Sequence, residues 1–183
     1  MRKPMIFGLV IWAASLMTPA AYAQIEGVTF PEQIRAGAQT LQLHGCGARE
    51  ALFFDLYAAA LYLPRAGLGQ DEILAASTPK AVQLKILYGD LPDNIPQSWS
   101  EPLDRMVREE LEQTVREIYA NFESGDEVRI VYAPEMGARL IVNGAVRREM
   151  PDDDVFRPLL RLWISEEAVS KNLRRLLLSG DCG

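Results

Sequence analysis

Short segments with the spacing of β-strands recur along the chain, and this feature constrains the fold more than any other. Apolar and polar residues alternate over residues 40–44, and residues 80–88 place four apolar side chains on one face. A repeat of two is typical of strands with one buried face. Residues 126–133 and 138–142 are also predicted strands. The chain is therefore expected to build much of its core from a β-sheet.

Turn and helix signals complete this pattern. Asn143 and Gly144 between two strand segments predict a tight hairpin turn. Residues 101–122 carry apolar side chains at helical spacing, with charges on the opposite face. Two terminal helices are predicted, one with Pro158 in its first turn and one over residues 170–178, closed by a glycine. We therefore expect an α+β fold, in which an antiparallel sheet carries helices on one face.

Residues 50–63 form a continuous apolar and aromatic run that ends before a proline. Such a run fits either a strand covered on both faces or a buried helix, because periodicity does not separate the two. Its Phe, Tyr and Leu content favours a strand, whereas the three alanines at residues 58–60 favour a helix. We predict a strand here, and a further strand over residues 26–31.

The first 23 residues have the features of a secretory signal peptide. Arg2 and Lys3 precede a short apolar run over residues 6–17, and Ala21 and Ala23 occupy the small-residue positions of a cleavage site. The run is well short of the roughly 20 residues that span a bilayer, which disfavours the alternative of a membrane anchor. We predict a signal peptide at 1–23 and one domain at 24–183, with no membrane span after cleavage and a periplasmic or secreted location.

The two cysteines, Cys46 and Cys182, permit a single intramolecular bridge. An oxidising compartment would tend to form that bridge if the sulfur atoms can meet. The alternative is two unrelated thiols, one buried and one near the carboxyl end, and sequence does not supply the Cα separation that decides between them. A catalytic cysteine is disfavoured, since no C-x-x-C motif is present.

Composition excludes several classes of function. The net charge of −6 argues against a nucleic-acid partner. One histidine and two cysteines make a four-ligand zinc site improbable, and we predict no metal and no cofactor. Three consecutive acids, Asp152, Asp153 and Asp154, are expected to cap a helix and complement its dipole. The chain lacks a G-x-S-x-G motif and a complete dinucleotide-binding fingerprint.

Several short motifs occur in a fixed order along the chain. The most specific is a G-x-G-x-R step at residues 45–49, followed by a tyrosine-rich strand at residues 57–64, and the others lie at residues 27–31, 125–128, 143–144, 159–164 and 173–178. By these motifs and their order, the chain resembles the chalcone isomerase-like family, in its bacterial secreted branch. The resemblance implies an open-faced β-sandwich, a large antiparallel sheet with a layer of helices, in agreement with the α+β prediction.

The resemblance also singles out two residues. In the plant enzymes of the family, which cyclise chalcones to flavanones, an arginine after the G-x-G step polarises the substrate ketone, and Arg49 stands at the matching position. Its guanidinium would suit a carboxylate equally well. The alternative is that Arg49 pairs with a buried acid or with backbone carbonyls and orders the turn. Tyr57 stands where the enzymes carry a threonine, and is expected either to hydrogen-bond a ligand headgroup or to be a sheet aromatic with its hydroxyl at the rim.

The other features of the enzymes are not matched. The enzymes carry a tyrosine and an asparagine seven residues apart before the long helix, and residues 99–106 contain no such pair. Because the family also includes relatives that bind fatty acids without chemistry, we predict a non-catalytic protein that binds a small hydrophobic or amphipathic acid such as a fatty acid, with Arg49 and Tyr57 as ligand-binding residues. The alternatives are an interaction or assembly protein without a small ligand, and an isomerase or lyase of chalcone isomerase type.

Overall fold

The computed structural model describes residues 22–51, 54–88 and 122–182 of the 183-residue chain. Most of the predicted signal peptide and all but the last residue of the predicted long helix lie outside these ranges, as does the 99–106 stretch. The described strands are β1 (Tyr22–Ile25), β2 (Val28–Pro31), β3 (Gln33–Ala36), β4 (Gln39–Ala51), β5 (Phe54–Leu63), β6 (Lys80–Ile86), β7 (Glu127–Ala133), β8 (Gly137–Val142) and β9 (Ala145–Met150). The described helices are α1 (Gln70–Leu74), α2 (Phe156–Ile164) and α3 (Lys171–Ser179).

Within the described residues, β3 to β9 form one sheet whose spatial order follows the chain order, and every neighbouring pair is antiparallel. β1 and β2 form a separate hairpin. This curled meander with a few helices confirms the predicted α+β fold and the open-faced β-sandwich.

Alternation along the strands gives the sheet two different faces. One face, which we call the helix face, packs against α2 and α3, and its core includes Leu61, Leu84 and Ile130. The other, the hairpin face, forms a second core with Phe30 of β2 and includes Ala60 and Tyr62. Both faces of β5 are therefore buried, which explains why its sequence is apolar without alternation and why a strand was the right prediction.

Two predicted strand boundaries were wrong. The strand predicted over residues 26–31 begins only at Val28, because Glu26 and Gly27 have positive φ values and form the turn between β1 and β2. The run over residues 50–63 was predicted as one strand, yet β4 continues to Ala51 and β5 begins at Phe54. The sequence between the two strands contains no glycine or proline to mark their boundary, so they were predicted as one segment.

The signals at the carboxyl end agree with the structure. Pro158 is the third residue of α2, in its first turn. Ser170 caps α3, its hydroxyl oxygen accepting a hydrogen bond from the amide of Leu173. Gly180 adopts the left-handed conformation that ends the helix. Asn143 and Gly144 also have positive φ values, as the hairpin turn between β8 and β9 requires.

Candidate functional site

The G-x-G-x-R step lies on β4, and the strand geometry places its two glycines and its arginine on the same face of the sheet. Gly45, Gly47 and Arg49 are two residues apart and pair with Leu61, Ala59 and Tyr57 of β5. These partners belong to the helix face. A register shift at His44 precedes the step, so a bulge brings the glycines onto this face.

The two glycines let α3 lie directly on β4. A Cβ atom at Gly45 would lie 2.5 Å from the carbonyl oxygen of Leu176 and 2.6 Å from that of Leu177. At Gly47, a Cβ atom would lie 2.6 Å from the Cδ1 atom of Leu176. Gly45 and Gly47 therefore form a surface without side chains beneath α3, which we call the glycine strip. The strip leads along β4 to Arg49.

Arg49 and Tyr57 face each other across β4 and β5. The guanidinium carbon of Arg49 lies 6.0 Å from the centre of the Tyr57 ring, a cation–π arrangement. Arg49 is 5% exposed and Tyr57 is 4% exposed. The expectation of a tyrosine hydroxyl at the rim of the sheet was wrong, because the helix layer covers the Tyr57 ring. The structure thus brings the two predicted site residues together in a buried position.

Trp163 of α2 completes this cluster. Its indole nitrogen donates a hydrogen bond of 2.9 Å to the hydroxyl oxygen of Tyr57. Sequence reasoning did not assign Trp163 to the site, because the pairing spans 106 positions. The available signal was chemical: a tryptophan inside the apolar stretch of a helix needs a partner for its N–H group. We call Arg49, Tyr57 and Trp163 the Arg49 cluster.

Burial decides the charge state of this cluster. Burial raises the pKa of the Tyr57 hydroxyl, and the nearby positive charge of Arg49 and the hydrogen bond from Trp163 offset this only in part. Tyr57 is therefore neutral at physiological pH, and the cluster carries the positive charge of its guanidinium. Such a group favours an anion or a carbonyl oxygen, since burial strengthens charge-assisted hydrogen bonds.

Cys46 and Cys182 form a disulfide, which decides between the two alternatives left by the sequence. Cys46 is fully buried in the core of the hairpin face. The turn at Gly180 directs the chain along β4, where the amide of Cys46 donates a hydrogen bond to the carbonyl oxygen of Asp181. The bond therefore fastens the end of α3 to β4, beside the glycine strip.

A cleft of about 280 Å³ opens beside the disulfide. Glu32, His44, Asp181 and Cys182 are among the residues that line it, whereas Arg49 and Tyr57 do not. Burial lowers the pKa of His44, and a backbone hydrogen bond involving Leu178 opposes this shift. The cleft therefore gives solvent access to the partly exposed Cys182 and is separate from the Arg49 cluster.

One of the three consecutive acids has a role that the sequence did not indicate. The carboxylate of Asp153 lies 3.4 Å from the ammonium group of Lys80, and both side chains are buried. The ammonium group also donates to the carbonyl oxygen of Ala75 and lies 4.9 Å from the centre of the Tyr132 ring. Asp153 thus ties the segment before α2 to β6. The expectation of a helix cap was wrong, because Val155 is the N-cap of α2 and no side chain caps this end; Asp152 instead accepts a hydrogen bond from the amide of Asp154.

Within residues 22–51, 54–88 and 122–182, no three histidine, cysteine, aspartate or glutamate side chains are grouped as a metal ion would require. None of the described helices combines the length and the apolar character of a membrane span.

Comparisons with known proteins agree with this fold. The family model described as chalcone isomerase-like matches residues 22–179. A search of curated proteins finds no match. Among solved structures, the chain is similar to a fatty-acid binding protein of Arabidopsis thaliana, with a TM-score of 0.62 and 21% identity over 85% of this chain and 95% of that one. At this identity the likeness shows the fold. Because the family model matches well over half of the chain, the chain belongs to the chalcone isomerase-like family.

Proposed function

We propose that this protein is a non-catalytic binding protein for a small amphipathic acid such as a fatty acid, in the secreted bacterial branch of its family. The observation that carries the proposal is the buried guanidinium of Arg49 beside Tyr57 on the helix face. A guanidinium keeps its charge on burial and offers donors in a plane that matches a carboxylate. The acyl chain would lie between sheet and helices, against the apolar side chains of that face.

Two further observations support this proposal. The plant protein that shares the fold is named a fatty-acid binding protein. The tyrosine and asparagine that the family's enzymes carry before the long helix have no match in residues 99–106 of the sequence. Both observations favour binding over isomerisation, and the guanidinium of Arg49 can form two parallel hydrogen bonds with a carboxylate.

The test is mass spectrometry of small molecules released from protein purified from its native compartment. We expect an acidic lipid with the wild type and at least a tenfold smaller amount with Arg49→Ala. Arg49→Lys should restore part of the signal, because lysine keeps the charge and loses the planar geometry. Arg65→Ala is the matched control, since Arg65 is exposed and paired with Glu72. Wild-type levels of lipid on Arg49→Ala would show that Arg49 is not the anchor, and a lipid-free wild type would contradict the proposal.

The proposed location is outside the cytoplasm, supported by the signal-like residues 1–23 and by the disulfide. Sequencing of the mature protein should find Gln24 at the amino terminus. Cleavage there would leave Gln24 and Ile25 of β1, which pair with Thr29 and Val28. An intact amino terminus on the protein recovered from cells would contradict this location.

A further inference from the structure

We propose that the Cys46–Cys182 disulfide is a latch that holds α3 over the glycine strip, and that its reduction by an external dithiol opens a path to Arg49. The inference rests on the proposed function for its purpose, because the path would admit the ligand. It goes beyond that function by assigning a redox control to the site.

The position of the bond makes it a latch for one element. Cys182 lies three residues beyond the end of α3, and Cys46 lies between the two glycines on which α3 rests. The segment after α3 forms a parallel β-bridge with β4, in which Cys182 pairs with Cys46. The disulfide thus fixes the carboxyl end of α3 at the point where its backbone is closest to the sheet.

Besides this bond, α3 is held by its packing on β4 and by two hydrogen bonds of Arg174, one of them to Gln70. It has nine residues, of which Leu173 and Leu177 are buried. Arg174 donates through Nε to the carbonyl oxygen of Ile164 at the end of α2. An isolated helix of this length is marginal in water, so its structure depends on what holds it to the sheet. Such a unit can open locally at a lower cost in free energy than unfolding of the whole protein.

The surface beneath α3 suits a ligand path. Gly45 and Gly47 contribute no side chains, and Leu173 and Leu176 fill the space above Gly47. If α3 lifts from its carboxyl end, these leucines leave a groove bordered by Ala59 and Leu61 of β5. The groove leads along β4 to Arg49, the next residue on the same face.

The two cysteines differ in exposure to solvent. Cys46 is fully buried, whereas Cys182 is partly exposed and lines the 280 Å³ cleft. An external thiolate therefore attacks Sγ of Cys182. The bond to Cys46 breaks, its electron pair leaves on Sγ of Cys46 as a thiolate, and a mixed disulfide forms on Cys182. The second thiolate of the dithiol resolves this adduct, so the dithiol is oxidised and the two cysteines take up its protons.

The first measurement is amide hydrogen exchange of the full mature protein with and without a dithiol reductant. We expect residues 173–178 to exchange at least tenfold faster after reduction, while β6, β7 and β8 keep their protection. The variant Cys46→Ser/Cys182→Ser should reproduce the reduced state without a reductant. A smaller change in α3, or an equal loss of protection in the whole sheet, would overturn the latch.

The second measurement is the rate at which phenylglyoxal modifies Arg49, with exposed Arg65 as the internal reference. Reduction should raise the Arg49 rate at least fivefold relative to Arg65, and an unchanged ratio would overturn the path. Brief treatment with glutathione should give an adduct on Cys182, and an adduct on Cys46 would overturn the order of attack. None of these readouts uses a lipid, so a protein that carries no lipid would contradict the proposed function without affecting them.

Discussion

In the Arg49 cluster, the role of each side chain depends on its contact with another member of the cluster. Tyr57 fixes the Trp163 indole, and Arg49 lies against the Tyr57 ring. Arg49 and Tyr57 could be selected from the sequence because a motif marks them. Trp163 could not, since its pairing depends on how α2 crosses the sheet.

Tyr57→Phe tests this cluster at the scale of the residue. The variant keeps the ring and removes the oxygen that accepts from Trp163, which leaves a buried N–H group without this acceptor. We expect the free energy of unfolding to fall by about 1–3 kcal/mol, measured by urea denaturation.

The control is the double variant Tyr57→Phe/Trp163→Phe, compared with each single variant. Removal of both partners should cost less than the sum of the single losses, because no donor is then left buried. Strict additivity would show that the hydrogen bond contributes nothing to stability.

At the scale of the element, the contact between α3 and β4 explains the G-x-G motif. The family resemblance drew attention to these glycines as the approach to Arg49, and the structure gives them a packing role. Backbone of α3 lies above Gly45, and a leucine side chain lies above Gly47. An added methyl group should therefore lower stability more at Gly45 than at Gly47, because backbone atoms move less easily than the end of a side chain.

Gly45→Ala should therefore destabilise the protein more than Gly47→Ala. We expect about 1–3 kcal/mol for Gly45→Ala, since the added methyl group must displace a helix, and a smaller loss for Gly47→Ala, since Leu176 can change rotamer. Gly69→Ala is the control, because the nearest atom to its added Cβ is 3.7 Å away. Thermal unfolding of the three variants measures the order, and equal losses at Gly45 and Gly69 would contradict the contact.

At the scale of the whole molecule, tyrosines buried in both cores link folding to alkaline pH. Burial raises the pKa of Tyr57 and Tyr132 on the helix face and of Tyr62 on the hairpin face. The Tyr62 and Tyr132 hydroxyls donate to the carbonyl oxygens of Pro31 and Ala76, and ionisation removes these donors. The folded protein therefore keeps protons on tyrosine hydroxyls that lose them near pH 10 in the unfolded chain.

We expect the free energy of unfolding to fall as the pH rises above about 10.5, by up to about 1.4 kcal/mol per pH unit for each such tyrosine. Burial lowers the pKa of Lys80. This group therefore raises the free energy of unfolding as the pH approaches about 10.5, and it does not affect the pH dependence above that value. Urea denaturation between pH 9 and pH 12 measures the slope. Tyr62→Phe should reduce it, and tyrosinate absorbance that titrates fully near pH 10 in the folded protein would contradict the prediction.

The sequence by itself determined the elements and their class. Alternation, caps and turn residues act between neighbours in the chain, so β4 to β8, the hairpin at Asn143 and the ends of α2 and α3 could be predicted, whereas β1 and β3 were not predicted. The boundary between β4 and β5 could not, because it depends on which face of each strand is covered.

Only the tertiary structure decided the long-range pairings. The Cys46–Cys182 bond, the Lys80–Asp153 ion pair and the contact of Trp163 with Tyr57 each join residues that are 73 to 136 positions apart. No local pattern encodes such separations, since they follow from the curl of the sheet and from the helix that rests on two glycines. The sequence therefore identified Arg49 as a candidate site residue, whereas the tertiary structure determined which side chains surround it.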